Sequence, residues 1–151
     1  MRRLAPLLLF LLPALAQKLV LGLALEGQAL PIGLAGFARL EQGGYLLEAR
    51  AGWELLGGAF VGLEGGVYLD GGHALQGGLL FHPYHEALQR PNVLSATLGF
   101  TNRSWNTDLP LWGGVALPLD PAFWEGVDMD ALGLGFIALL RLRVYLEPPG
   151  F

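Results

Sequence analysis

The chain has 151 residues, 53% of them hydrophobic and only 15% charged, with 23 glycines, no cysteine and a formal net charge of −4. That is one domain's worth of chain; disulfide and thiolate–metal chemistry are excluded, and the acidic balance argues against nucleic acid, whose partners carry a basic footprint. Charged content well below the usual ~25%, with a mean hydropathy of +0.47, leaves little polar material to cover a water-facing surface.

The first seventeen residues, MRRLAPLLLFLLPALAQ, combine a basic start (Arg2, Arg3), an apolar run and a small-x-small end at Ala14-Leu15-Ala16. This is the pattern of a secretory signal peptide, residues 1–16, with cleavage expected after Ala16. An uncleaved anchor helix is the alternative, disfavoured because Pro6 and Pro13 interrupt a short run. Loss of Arg2 and Arg3 takes the formal charge from −4 to −6. Lys18 is the one lysine against eight arginines, a bias that, with the Leu, Ala, Gly and Pro richness, is associated with GC-rich bacterial genes.

Residues 17–151 contain no run of ~18 apolar residues free of charge, so a spanning helix is not expected. Period-two alternation between turn residues recurs instead. It predicts an all-β domain of eight strands at about 18–26, 30–40, 44–54, 58–70, 73–82, 92–102, 109–118 and 131–147. The first strand puts Leu19, Leu21, Leu23 and Leu25 on one face, against Lys18, Val20, Gly22, Ala24 and Glu26. The third sets Tyr45, Leu47, Ala49, Ala51 and Trp53 against Leu46, Glu48, Arg50, Gly52 and Glu54. In the fourth, Ala59, Val61 and Leu63 oppose Phe60, Gly62 and Glu64. In the sixth, Leu94, Ala96, Leu98 and Phe100 oppose Ser95, Thr97, Gly99 and Thr101. The last carries Leu140, Leu142, Val144 and Leu146 on one face, with Arg141, Arg143, Tyr145 and Glu147 on the other. Strands two, five and seven alternate less cleanly.

Two architectures fit. A soluble sandwich or lipocalin-like barrel turns its apolar face inward, but its outer face would then be mostly glycine with few charges. An antiparallel up-and-down barrel in a membrane inverts the assignment, with apolar side chains toward lipid and small or charged ones filling a narrow lumen. Closed pairing also satisfies every backbone group, as lipid demands. The inverted reading accounts for both the glycines and the embedded arginines. With both termini on the periplasmic side, PYHEALQRP and DPAFWEGVDMD read as long outward loops, and EQGG and DGGH as short periplasmic turns. EGQAL and ELLGG are short for outward loops, and NRSWNTD is long for a periplasmic turn. Tyr45 and Trp53 share the lipid face eight residues apart, roughly 26 Å along a tilted strand, a separation that suits two interfacial aromatic girdles.

These features together, over about 17–147, resemble the small eight-stranded bacterial outer-membrane barrels of the OmpA/OmpX-like group. The resemblance is one of pattern: signal peptide, amphipathic strands, lumen charges and a terminal aromatic, Phe151. It implies membrane lipid and the barrel-insertion machinery as partners, the latter reading a terminal aromatic that ends the last strand. Here Pro148-Pro149-Gly150 separates Phe151 from the strand, a departure from that pattern.

The lumen face supplies the candidate site. Lys18, Glu48, Arg50, Glu64, Arg141, Arg143 and Glu147 are expected to form an ion-pair network, because buried charges must be paired. Pairing of strands three and four near Leu56 and Gly57 allows either Arg50 or Glu48 opposite Glu64. Facing like charges are unfavourable, so Arg50–Glu64 is expected. Lys18 is expected near Glu147, with Arg141 and Arg143 reaching mid-lumen toward Glu48 and Glu64. A static plug is favoured over an ion path through the same residues.

His82 and Ser95 share the inward parity and are the residues from which acyl-transfer chemistry would be built; no family motif surrounds either, and no catalytic residue is assigned. His82, His85 and Glu86 are metal-ligand types, but HPYHE lacks helical i, i+4 geometry, and neither metal nor cofactor is expected. Asp120, Glu125, Asp128 and Asp130 make an acidic loop without calcium-loop spacing. The expected function is therefore a non-enzymatic outer-membrane barrel with an envelope-structural or surface-interaction role. A periplasmic lipocalin-like carrier of a small apolar ligand is the second reading and a lipid-modifying barrel enzyme the third.

Overall fold

A computed structural model describes residues 18–69, 73–102, 109–121, 124 and 139–146. Among them eight strands form a closed barrel in which each strand pairs antiparallel with its sequence neighbours and the last pairs with the first. The strands are β1 (Lys18–Gln28), β2 (Gly33–Gln42), β3 (Tyr45–Glu54), β4 (Gly58–Tyr68), β5 (Ala74–His85), β6 (Arg90–Asn102), β7 (Leu111–Pro118) and β8 (Leu140–Leu146). Among the described residues no helix is long and apolar enough to cross a membrane, a statement that does not bear on strands.

The turns set the register. Gly43 and Gly44, at φ 54° and 90°, make the two-residue link between β2 and β3 that needs two left-handed residues, and Gln42 faces Tyr45 across it. Between β3 and β4 three residues suffice, with Glu54 opposite Gly58 and Gly58 at φ 78°, the left-handed position that closes such short hairpins. Two expectations are corrected. The stretch PYHEALQRP is not a long loop: β5 runs to His85, β6 starts at Arg90, and only Glu86–Gln89 turn. Pro83 and Pro91 read as breakers, yet a proline withholds a single donor, and Tyr84 still pairs with Pro91. Of the predicted last strand, 140–146 is strand, while residues 131–138 and Glu147 lie outside the described residues.

The faces sort as alternation requires. Leu19, Leu21, Leu23 and Leu25 on β1, Leu47 on β3, Val61 and Leu63 on β4, Leu79 on β5, and Leu94 and Leu98 on β6 are exposed on the outer wall. Tyr45 and Phe100 stand exposed toward the end that carries Gly43 and Gly44, and Trp53 and Tyr84 toward the opposite end. Inside, two small apolar clusters, Val20–Ala24–Phe37–Trp112–Tyr145 and Ala35–Phe60–Leu80–Ala116, pack among the buried charges, Arg39 lying against the Phe37 and Tyr145 rings and Arg141 against Phe60.

Glycine permits this filling at one position above others. A Cβ on Gly99 would collide with Cε2 and Cζ2 of Trp112 and lie 2.6 Å from the Gly113 carbonyl oxygen, while Trp112 is fully buried. Gly99→Val is therefore expected to destabilise the barrel by about 1–3 kcal/mol through overpacking. Gly36→Val, on the outer wall with nothing within 4 Å of its Cβ position, is expected to stay within ~0.5 kcal/mol. Denaturant titration of both variants in detergent checks the contrast.

Candidate functional site

Four carboxylates (Glu26, Glu48, Glu54, Glu64) and four guanidiniums (Arg39, Arg50, Arg141, Arg143) are buried inside the described barrel, formally neutral as a set. They come from β1, β2, β3, β4 and β8, each from an inward-facing position. Taking so many charges out of water is costly unless each is met by opposite charge and hydrogen bonds. Here each is.

Arg143 is the hub. Its Nη2 lies 3.2 Å from Glu26 and 2.9 Å from Glu64, and its Nη1 is 3.6 Å from Glu48. Nη1 also donates to the Tyr145 hydroxyl (2.7 Å), which itself donates to Glu48 (2.8 Å). The guanidinium sits 4.2 Å from the Trp112 ring centroid, a cation–π contact in a desolvated setting. Arg50 donates from Nε to Glu26 (2.9 Å) and from Nη1 to Glu64. Arg39 donates to Glu48 (2.9 Å) and lies 4.6 Å from the Tyr145 ring centroid. Arg141 grips Glu54 with both terminal nitrogens, Nη1 to Oε1 at 2.9 Å and Nη2 to Oε2, and reaches Glu26 at 3.2 Å. Neutral donors complete the carboxylates: Thr97 to Glu64 (2.8 Å), and Gln76 to Glu64 (3.3 Å) and Glu48 (3.4 Å), with Gln76 also donating to the Tyr145 hydroxyl (3.1 Å). Bidentate, multiply shared pairing of this kind fixes the side chains.

Against the expected site, the register differs from the one inferred. Glu48, not Arg50, stands opposite Glu64, and Arg50 faces Gly62. The three-residue turn decides this. The facing carboxylates are tolerated because Arg143 from β8 lies within 4 Å of both. Arg50 still bonds Glu64, diagonally across the rung, and the Gly62 position leaves it room, a Cβ there falling 3.1 Å from the guanidinium carbon. Arg143 reaches Glu48 and Glu64 as expected, whereas Arg141 goes to Glu54 and Glu26. Lys18 is not in the network: it is the exposed first residue of β1, opposite Glu41. Leu146 pairs with Leu23, so the described part of the β1–β8 seam does not reach Lys18; Glu147 lies outside the described residues. Glu26, Glu54 and Arg39 were missed, although Glu26 and Glu54 carry the inward parity of their strands. Arg39 lies on β2, where alternation is weak.

Toward the end bearing the Glu86–Gln89 turn, a cavity of about 20 Å³ is lined by Gln28, Leu80, His82, His85, Ser95 and Arg141, among others. His82 and Ser95 share it but are not joined as base and nucleophile. His82 turns Nε2 to Glu54 (3.3 Å), and its buried Nδ1 has no hydrogen-bond partner. The trio His82, His85 and Glu86 is likewise divided. The two imidazoles pack at 4.6 Å between centroids, while Glu86 is exposed. Asp120 is exposed 3.9 Å from Arg90; Glu125, Asp128 and Asp130 lie outside the described residues. Comparison of the chain with family models, with curated proteins and with solved structures finds no match.

Proposed function

We propose that the chain is an exported, non-enzymatic outer-membrane β-barrel of the small OmpA/OmpX-like kind. Its lumen is closed by a charged plug, and its role is in envelope structure or surface interaction through the outward turns. The observation that carries this reading is the inversion of polarity: a continuous leucine-rich outer wall around a core of four paired carboxylates and guanidiniums. In water that distribution exposes far more contiguous apolar surface than monomers tolerate; in hydrocarbon it is the favourable one. Exposed Tyr45 and Phe100 toward one rim, with Trp53 and Tyr84 toward the other, suit the two headgroup levels where amphipathic rings concentrate. A lipocalin-like carrier needs an apolar interior cavity, and the space it would use is held by ion pairs.

Fractionation tests the reading. The protein is expected in the envelope fraction, extractable only with detergent, and to migrate faster on gels unheated than boiled. Recovery in the soluble periplasmic fraction without detergent overturns it. Lipid and the insertion machinery are then the partners, and the conductance of the reconstituted barrel is expected to be indistinguishable from that of bare bilayer.

A further inference from the structure

Strict alternation would put His82 and His85, three residues apart, on opposite faces of β5. Both are buried, while Pro83 and Tyr84 between them are exposed. The hairpin explains the exception. Pro83 has no N–H to give the ladder, and the register runs His82–Val93 and then Tyr84–Pro91, leaving Asn92 unpaired at φ 54°. A left-handed residue opposite a proline breaks the pleat, and asparagine is among the few side chains that tolerate it. The end of the hairpin therefore turns His85 back over the lumen beside His82.

Glu54, the last residue of β3, completes the group. One donor atom from each of Glu54, His82 and His85 lies within 4.8 Å of the others, and all three residues are buried. The separation between His82 Nε2 and Glu54 Oε1 is 3.3 Å. Two ligands of a tetrahedral ion with bonds of ~2.1 Å stand about 3.4 Å apart. We propose that Glu54, His82 and His85 form a binding site for a divalent late first-row transition-metal ion at the outward mouth of the barrel. Two imidazoles and one carboxylate are the donor set of open three-ligand zinc sites, and imidazole favours such ions over magnesium or calcium.

Three further observations point to an occupant. Oε1 of Gln28, which lines the cavity beside His82 and His85, is buried without a partner. That cavity, about 20 Å³ and lined by His82 and His85 though not by Glu54, is of the size that holds a single water, a fourth ligand beside the three side chains. Gly57 keeps the approach open: a Cβ there would meet Glu54 Oε1 and stand 2.7 Å from His82 Nε2.

Glu54 keeps its bonds to Arg141 while it ligates, because each carboxylate oxygen offers two lone pairs. Arg141 then acts as the outer partner that orients the ligand. His85 accepts the Leu88 N–H at Nδ1 (3.2 Å), so Nε2 is the ring atom left for the ion. Ligation there moves the ring proton to Nδ1 and releases Leu88. Loading is thus felt at the tip of the outward hairpin.

The test is zinc titration of the EDTA-treated, folded full-length barrel by calorimetry, with cobalt(II) as a visible-absorption reporter. One ion per chain is expected. His82→Ala, His85→Ala and Gly57→Ala should each weaken binding at least tenfold, while Glu86→Gln, altering an exposed residue outside the trio, should leave it unchanged. Folding of each variant is verified by heat-modifiable migration; if His82→Ala does not fold, His85→Ala decides. Absence of saturable binding in the folded wild type, unchanged affinity in folded His85→Ala, or loss of binding in Glu86→Gln overturns the assignment.

Discussion

Arg143→Ala is expected to lower the unfolding free energy of the barrel by about 3–5 kcal/mol, the cost typical of leaving a buried ion pair half-made. Arg143 is within 4 Å of Glu26, Glu48 and Glu64 at once, as is Arg50, whose approach to Glu48 is the longer at 3.9 Å; Arg143 adds a hydrogen bond to the Tyr145 hydroxyl. Arg50 and Arg39 remain, but the facing carboxylates of Glu48 and Glu64 lose one of the two cations between them, and the Tyr145 hydroxyl keeps only the Gln76 donor. Arg143→Met retains much of the volume and the contact with Trp112, and is expected to be nearly as damaging, because charge and not bulk is what the carboxylates require. Arg90→Ala, at an exposed site, should change stability by no more than ~0.5 kcal/mol. Urea or guanidinium titration in detergent or lipid distinguishes these outcomes. A loss of under 1 kcal/mol in Arg143→Ala would mean that the network does not hold the wall.

Leu63→Arg is expected to cost about 2–4 kcal/mol in a lipid bilayer, the penalty for arginine at the midplane of a lipid-facing wall. Leu63 sits at the centre of β4, is 53% exposed and has Ala49 and Leu79 beside it on the outer wall. The same substitution on a water-facing strand would fall within ~0.5 kcal/mol. Its effect therefore reports which solvent bathes that face. Stability measured in vesicles gives the value; moving the arginine to Leu19, near the rim, should reduce it to ~0–1 kcal/mol. Equal, negligible effects at both positions would contradict the membrane reading.

The inward and outward faces of β1, β3, β4, β6 and β8 were legible in the sequence, because period two assigns every side chain once a strand is recognised. Arg143 reaching Glu48 and Glu64 followed from parity and closure alone. What parity does not carry is register. A three-residue turn and Gly58 in a left-handed conformation set Glu48 opposite Glu64, a pairing that pairwise charge logic rejects because it ignores the strand that arrives from across the lumen. Composition hid the β5–β6 hairpin, where two prolines and a histidine-rich stretch read as a loop. It also hid the approach of His85 to His82, which depends on one left-handed asparagine ten residues downstream. Arg39 was lost to weak alternation on β2, and Lys18 was drawn into the lumen only because the seam was assumed to be flush at its lower end.

The formal charges of the lumen are unevenly distributed along the chain. Strands β1 to β4 bring Glu26, Glu48, Glu54 and Glu64 against Arg39 and Arg50, two negative charges in excess; β8 brings Arg141 and Arg143, which cancel them. An open ribbon of the first four strands is thus an anionic species that hydrocarbon rejects, and only the last strand made renders the whole neutral. Docking of β8 onto β1 closes the barrel and neutralises its interior in one step. Under the proposed membrane reading, closure and insertion become one event, and a chain that stops before Arg141 is expected to stay at the membrane surface.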